Sequence, residues 1–180
     1  TIARWISNYH RLSDSVKQRL VIENDDKASM YSVRDLFEMV HSEIGIPITF
    51  DYWHHTFNTG DLSEEEALLM ARSTWEKHGV TQCTHYSESR RKEYQRLIEG
   101  ICEQNNIALE DLPKWPTFAK QYKEFSKIKE QAHADYITKL PDTYGLDSLD
   151  VVVEAKAKEL AILNIGHDQW STKDPVILRD

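Results

Sequence analysis

Four short apolar runs in this chain finish in residues able to hold a divalent ion. Leu20-Val21-Ile22 ends at Glu23. Ile46-Pro47-Ile48-Thr49-Phe50 ends at Asp51, with His54 and His55 just beyond. Val80 to Tyr86 carries His85, and Asp150 to Ala155 carries Glu154. If each run is a strand, alternation groups Val21 with Glu23, Cys83 with His85, and Val152 with Glu154 on one face. Val151, Val153 and Ala155 then face the other way. Carboxylates and imidazoles with little sulfur suit Mn²⁺, Mg²⁺, Zn²⁺ or Fe²⁺. Each residue alone has an ordinary explanation. A Glu at a strand end is most often solvated or ion-paired, Asp51 can make an Asx turn, and His85 can be a hydrogen-bonded structural histidine. Those explanations would have to coincide at equivalent positions of four successive strands, so a metal site is the expectation. His10, His41, His78 and His167 sit away from strand ends and read as structural or surface residues.

The elements that must position these groups follow from periodicity. Ile2, Trp5, Ile6, Tyr9 and Leu12 predict an amphipathic helix, and Arg19 to Asp25 a buried strand. Ser32 with Asp35 resembles a capping box ahead of Val33, Leu36, Phe37 and Val40, and Gly45 stops that helix. Residues 46–51 are the second strand. Ser63 with Glu66 is a clearer capping box, opening a helix through Ala67, Leu68, Met70, Ala71 and Trp75 to Gly79; Val80 to Tyr86 follows as the third strand. The charged stretch 88–129 reads as a helical insertion broken between Pro113 and Pro116. Ala132 to Leu140 reads as a short helical turn, Asp150 to Ala155 as the fourth strand and 155–165 as the last helix. Strand then helix, four times over, predicts an α/β fold with parallel strands. Ligands at the C-terminal ends of such strands stand where a TIM barrel builds its active site.

Composition narrows the function classes. One hundred and eighty residues, 40% hydrophobic and 10% aromatic, make one globular domain or part of a larger one. Lys+Arg 22 against Asp+Glu 30 leave a net charge of −8, which gives no general basic footprint for nucleic acid. Lys120, Lys123, Lys127 and Lys129 read as a solvated helix face, and Trp115 and Trp170 as packing residues. No apolar run reaches the roughly 18 residues of a membrane span. Two cysteines, Cys83 and Cys102, form no disulfide framework, so a reducing intracellular compartment is expected. Walker loops, G-x-G-x-x-G and G-x-S-x-G motifs are absent. The chain starts at Thr1 without Met or signal peptide, as a piece of something longer would.

Five segments together carry a resemblance: Leu20-Val21-Ile22-Glu23-Asn24-Asp25-Asp26, Pro47-Ile48-Thr49-Phe50-Asp51-Tyr52-Trp53-His54-His55, Thr84-His85-Tyr86-Ser87, His133-Ala134-Asp135-Tyr136-Ile137 and Val153-Glu154-Ala155-Lys156-Ala157-Lys158-Glu159. In this order they resemble the UV damage endonucleases over nearly the whole chain except 88–129. The resemblance implies a TIM barrel similar to endonuclease IV, of which this chain would be the second half. It also implies a cluster of divalent metals, Mn²⁺ first and Mg²⁺ or Zn²⁺ as alternatives, and incision of UV-damaged double-stranded DNA immediately 5′ to a photoproduct. Glu23, Asp51, His54, His85, His133 and Glu154 fall on the family's metal-ligand positions, with Glu23 and Glu154 as the catalytic pair. His55, Cys83 and Asp135 are expected behind them. Two departures accompany the match. The family's first four strands are absent, so a missing N-terminal half-barrel or a second chain is the implied partner, and Cys83 stands where many members have lysine. The rival readings are another divalent-metal TIM-barrel enzyme of the xylose-isomerase type, and a non-catalytic half-barrel that binds metal or DNA.

Overall fold

Ile48–Asp51 is the strand on which the rest is hung, because all four of its residues are buried, as a parallel strand covered on both faces must be. The computed structural model describes residues 2–104, 106, 108 and 128–165. Two units divide the chain, residues 1–87 with 142–152 and residues 88–141 with 153–180.

The first unit opens with α1 (Ile2–His10) and α2 (Asp14–Lys17), followed by β1 (Ile22–Glu23). α3 (Val33–Leu36) runs through a π-helical segment, Phe37–His41, into α4 (Ser42–Ile44), and Gly45 ends it at φ 70°. β2 (Ile48–Asp51), α5 (Tyr52–His55), α6 (Glu64–Ser73) and β3 (Cys83–Tyr86) complete the alternation. β4 (Asp150–Val153) joins the sheet in the order β1-β2-β3-β4. β1 pairs parallel with β2 through Ile22↔Ile48 and Glu23↔Thr49, and β2 with β3 through Phe50↔Thr84 and Asp51↔His85. Asp150 N donates to Gln82 O at 2.9 Å, bringing β4 beside β3. α6 is tied to β2 by hydrogen bonds as well as by Ala67, Leu68 and Ala71: Ile48 N donates to Thr74 Oγ1 at 2.9 Å, and Trp75 Nε1 to Ile48 O at 2.7 Å. The fold class is α/β, as the alternation predicts.

Both capping boxes form. Ser32 Oγ accepts from Asp35 N while Asp35 Oδ2 accepts from Ser32 N, and Ser63 does the same with Glu66. Gly60, at φ 58°, lies so close that an added Cβ would meet Ser32 Oγ and come within 2.7 Å of Ser32 Cβ. Gly60→Ala therefore strains the backbone and displaces a cap, and is expected to cost about 2–3 kcal/mol. Gly45→Ala, with positive φ but nothing within 4 Å, should cost only the backbone part, about 1–2 kcal/mol. Urea midpoints of the two variants check this; equal shifts would remove Ser32 from the account.

The second unit contains α7 (Arg90–Gln104) and α8 (Glu159–Leu163). α7 matches the first half of the expected charged helical stretch. The Pro113–Pro116 break, Trp115, Lys120, Lys123, Lys127, His167 and Trp170 lie outside the described residues.

Several boundaries differ from the sequence reading: β2 starts at Ile48, α6 ends at Ser73 and β3 starts only at Cys83. β1 has two residues, not seven, because Arg19 and Leu20 are drawn into turns from Val16 and Lys17, leaving Val21 38% exposed. β4 ends at Val153, and α8 starts only at Glu159 because Lys158 takes a positive φ of 54°. Ala132 to Leu140 is not a helical turn: His133 forms an antiparallel bridge with Ser89, and the following amides bond to neighbouring segments instead of to each other. No helix among the described residues is long and apolar enough to cross a membrane.

Candidate metal centre

Asn24, one residue beyond Glu23, closes the C-terminal ends of β1 and β2 together. Its side chain acts as a surrogate peptide: Oδ1 accepts from Asp51 N at 2.9 Å, and Nδ2 donates to Asp51 O at 3.0 Å. Sequence reasoning gave it no role. The available signal was a polar amide directly after an apolar run, and Asn24 is only 1% exposed.

Asp51 then turns the chain. Its Oδ1 accepts from His54 N at 2.7 Å as the N-cap of α5, which swings the His54 ring back over the strand ends. The His54 Nδ1 atom lies 2.8 Å from the Asn24 carbonyl oxygen. A carbonyl can only accept, so Nδ1 donates, and once the ring is neutral Nε2 carries the lone pair, the tautomer a metal ligand needs. Glu23 Oε1 lies 3.3 Å from His54 Nδ1 and 3.2 Å from His85 Nδ1. Asp51 Oδ2 stands 3.8 Å from His54 Nδ1. One potential ligand atom from each of Glu23, Asp51 and His54 can be chosen so that all lie within 4.8 Å of one another. The Asp51 side chain is wholly buried while those of Glu23, His54 and His85 are partly exposed, so the cluster has a solid floor and an open top.

The charges are strongly coupled. Burial pushes the Glu23 carboxyl up, but hydrogen bonds and attraction from His54 and His85 outweigh it and hold Glu23 at about 2. Burial pulls His54 down, yet Glu23, the Asp51 charge and the Asn24 carbonyl raise it to about 9. Glu23 therefore stabilises the metal-free fold above its ordinary pKa, a contribution lost as pH falls towards 2. His54 stabilises it below about 6.5, a contribution lost as pH rises through 9. The contribution of this pair in EDTA should accordingly be largest between about pH 4.5 and 6.5, checked as the melting difference between the unaltered protein and Glu23→Gln across pH; a difference that grows above pH 8 would contradict the pairing.

His55, next to His54, is buried, with its ring 5.4 Å from that of Phe50, and burial lowers its pKa. Cys83 is half-buried on β3, two residues before His85. In the second unit His133 Nδ1 lies 3.1 Å from the Glu154 backbone oxygen and 3.5 Å from Glu154 Oε2. Asp135 Oδ1 stands 3.7 Å from an Arg90 guanidinium nitrogen. The residues expected from sequence thus come together as Glu23, Asp51, His54 and His85 in one unit and as His133 and Glu154 in the other.

Residues 1–174 match the family model described as UV-endonuclease UvdE. The chain belongs to that family. A UV-damage endonuclease of Schizosaccharomyces pombe is 35% identical over 170 residues, covering 92% of this chain and 22% of the relative. A UV DNA damage endonuclease of Bacillus cereus (strain Q1) is 25% identical over 173 residues, covering 96% of this chain and 44% of the relative. Among solved structures, the crystal structure of SacUVDE is similar with a TM-score of 0.59 and 26% identity, covering 90% of this chain and 43% of that one. The chain therefore spans less than half the length of these UvdE-family relatives.

Proposed function

We propose that this chain is the metal-carrying part of a DNA-repair endonuclease that incises UV-damaged double-stranded DNA immediately 5′ to a photoproduct, using divalent ions, Mn²⁺ before Mg²⁺ or Zn²⁺. The observation that carries the reading is the oxygen-and-nitrogen cluster of Glu23, Asp51, His54 and His85 at parallel strand ends, with the His54 tautomer set by the Asn24 carbonyl. In a family of UV endonucleases, that donor set fits a hard divalent ion. His133 and Glu154 are proposed as further ligands on the family pattern, with Glu23 and Glu154 as the residues on which catalysis depends most.

Bound metals would supply the Lewis acidity that activates water and offsets the phosphate charge. The chain's own residues do the rest. Asp51, buried and engaged as a helix cap, offers a fixed negative charge, and Glu23 draws His54 and His85 to one oxygen. A DNA backbone would reach these partly exposed side chains most readily where nucleotides leave the stack, which a distorted photoproduct allows at lower energy. An acidic chain of net charge −8 gains attraction for phosphate here only through bound cations.

The sheet order follows the chain order with no reversal, which supports a barrel over a doubly wound sheet. The proposal accordingly makes this the second half of a TIM barrel. Its first half would come from a longer chain or a second chain, in the intracellular compartment that holds the genome. The test is nicking of a photoproduct-containing duplex by the full-length protein. EDTA should abolish incision and Mn²⁺ restore it; full activity in EDTA would overturn the reading.

A further inference from the structure

Residues 134–136 carry no regular secondary structure, yet their backbone groups are held from both sides. Asp135 N donates to Glu93 Oε2 at 2.7 Å, and Tyr136 N to Glu93 Oε1 at 2.8 Å. On the other side the carbonyls of Ala134 and Asp135 accept from Lys156 N at 3.1 Å and Ala157 N at 3.0 Å. Lys156 and Ala157 closely follow Glu154, and residue 133 immediately precedes this segment. One short stretch of peptide is therefore spliced between the Glu93 carboxylate and the segment that carries Glu154, with His133 at its head.

We propose that Glu93 is a positioning residue for metal binding by His133 and Glu154, an inference that rests on reading those two as ligands. Glu93 stands one turn into the fifteen-residue α7, where Glu93 N donates to Ser89 O at 3.0 Å and Lys92 N to Ser89 Oγ at 3.3 Å. Ser89 is also the bridge partner of His133. A rigid helix start thus fixes His133 by its strand bridge and the residues after it by a carboxylate that takes two amides at once. Charge-assisted bonds to both oxygens resist twisting of the segment more than two neutral bonds would. The bond from His133 Nδ1 to the Glu154 carbonyl then sets which ring nitrogen is available to a metal. The Asp135 side chain cannot do this work, because it faces Arg90.

The experiment compares Glu93→Ala, Glu93→Gln and Glu93→Asp with the unaltered full-length protein. It measures Mn²⁺ affinity by calorimetric titration and by the Mn²⁺ spin-resonance signal, with melting in EDTA recorded alongside. Glu93→Ala should weaken Mn²⁺ binding by about 10- to 100-fold while melting stays cooperative. Glu93→Gln, which keeps one acceptor but points a donor at the second amide, should lose nearly as much. Glu93→Asp should recover most of the affinity. If Glu93→Ala fails to fold, Glu93→Gln carries the comparison. Unchanged affinity in Glu93→Gln, or no recovery in Glu93→Asp, overturns the inference while leaving the metal site standing. An unaltered protein that binds no Mn²⁺ overturns the metal site itself, and the inference with it.

Discussion

Replacing Glu23 by Gln should lower incision by at least about 1,000-fold in the full-length protein, a transition-state loss of about 4 kcal/mol or more. The same outcome is expected for Glu154→Gln. Gln keeps the shape of Glu and an oxygen that can accept from His54 and His85, so the β1–β2 junction should survive. What disappears is the charge at the point where two imidazoles converge. Without it His54 loses its largest support and its pKa should fall from about 9 towards the ordinary 6.5. A metal would also lose an anionic ligand, which the neutral carbonyl of Gln replaces poorly. Far-UV circular dichroism should match the unaltered protein, while bound Mn²⁺ measured by elemental analysis should fall. Incision within tenfold of the unaltered protein, with normal metal content, would remove Glu23 from the site.

Much of this arrangement is legible in the sequence, and the illegible parts share a cause. Periodicity and caps fix α1, α6 and the order of the strands, because Ser63 with Glu66 and the run Ile46–Phe50 are local signals that tertiary packing reinforces. Alternation within each run is a local signal, but that Glu23, Asp51 and His85 share a face comes from the register, in which Glu23 pairs with Thr49, two residues before Asp51, and Asp51 pairs with His85. The places that resist reading are those where a side chain replaces a backbone partner. β1 stops at Glu23 because the Asn24 side chain takes over the bonding to β2. Residues 132–140 look helical, but the Glu93 carboxylate, 42 and 43 positions away from the amides it accepts, satisfies them without a helix. Neither exchange leaves a periodic trace.

That substitution of side chain for backbone makes Asn24→Ala the variant with the largest expected effect on stability. β1 contributes two residues to the sheet, so few ladder bonds hold its end to β2. Removing the amide deletes both bonds to Asp51 and leaves a buried N–H and a buried carbonyl without the partners that Asn24 gave them. Each orphaned group costs about 1–3 kcal/mol, so a loss of about 3 kcal/mol is expected, well above a typical single substitution. Asn24→Leu should do no better despite its similar volume, because the deficit is polar and not steric. Asn24→Asp restores only the acceptor for Asp51 N and sets a negative charge against the Asp51 carbonyl. The metal site should suffer separately, because the Asn24 carbonyl that orients His54 is held in place by the same side chain. Mn²⁺ affinity is expected to drop about 10- to 100-fold, as when a partner behind a metal-ligating histidine is lost. Urea unfolding and Mn²⁺ titration read the two effects independently. A stability loss below about 0.5 kcal/mol together with unchanged Mn²⁺ affinity would show that the strand ends, and the tautomer of His54, are fixed by something other than Asn24.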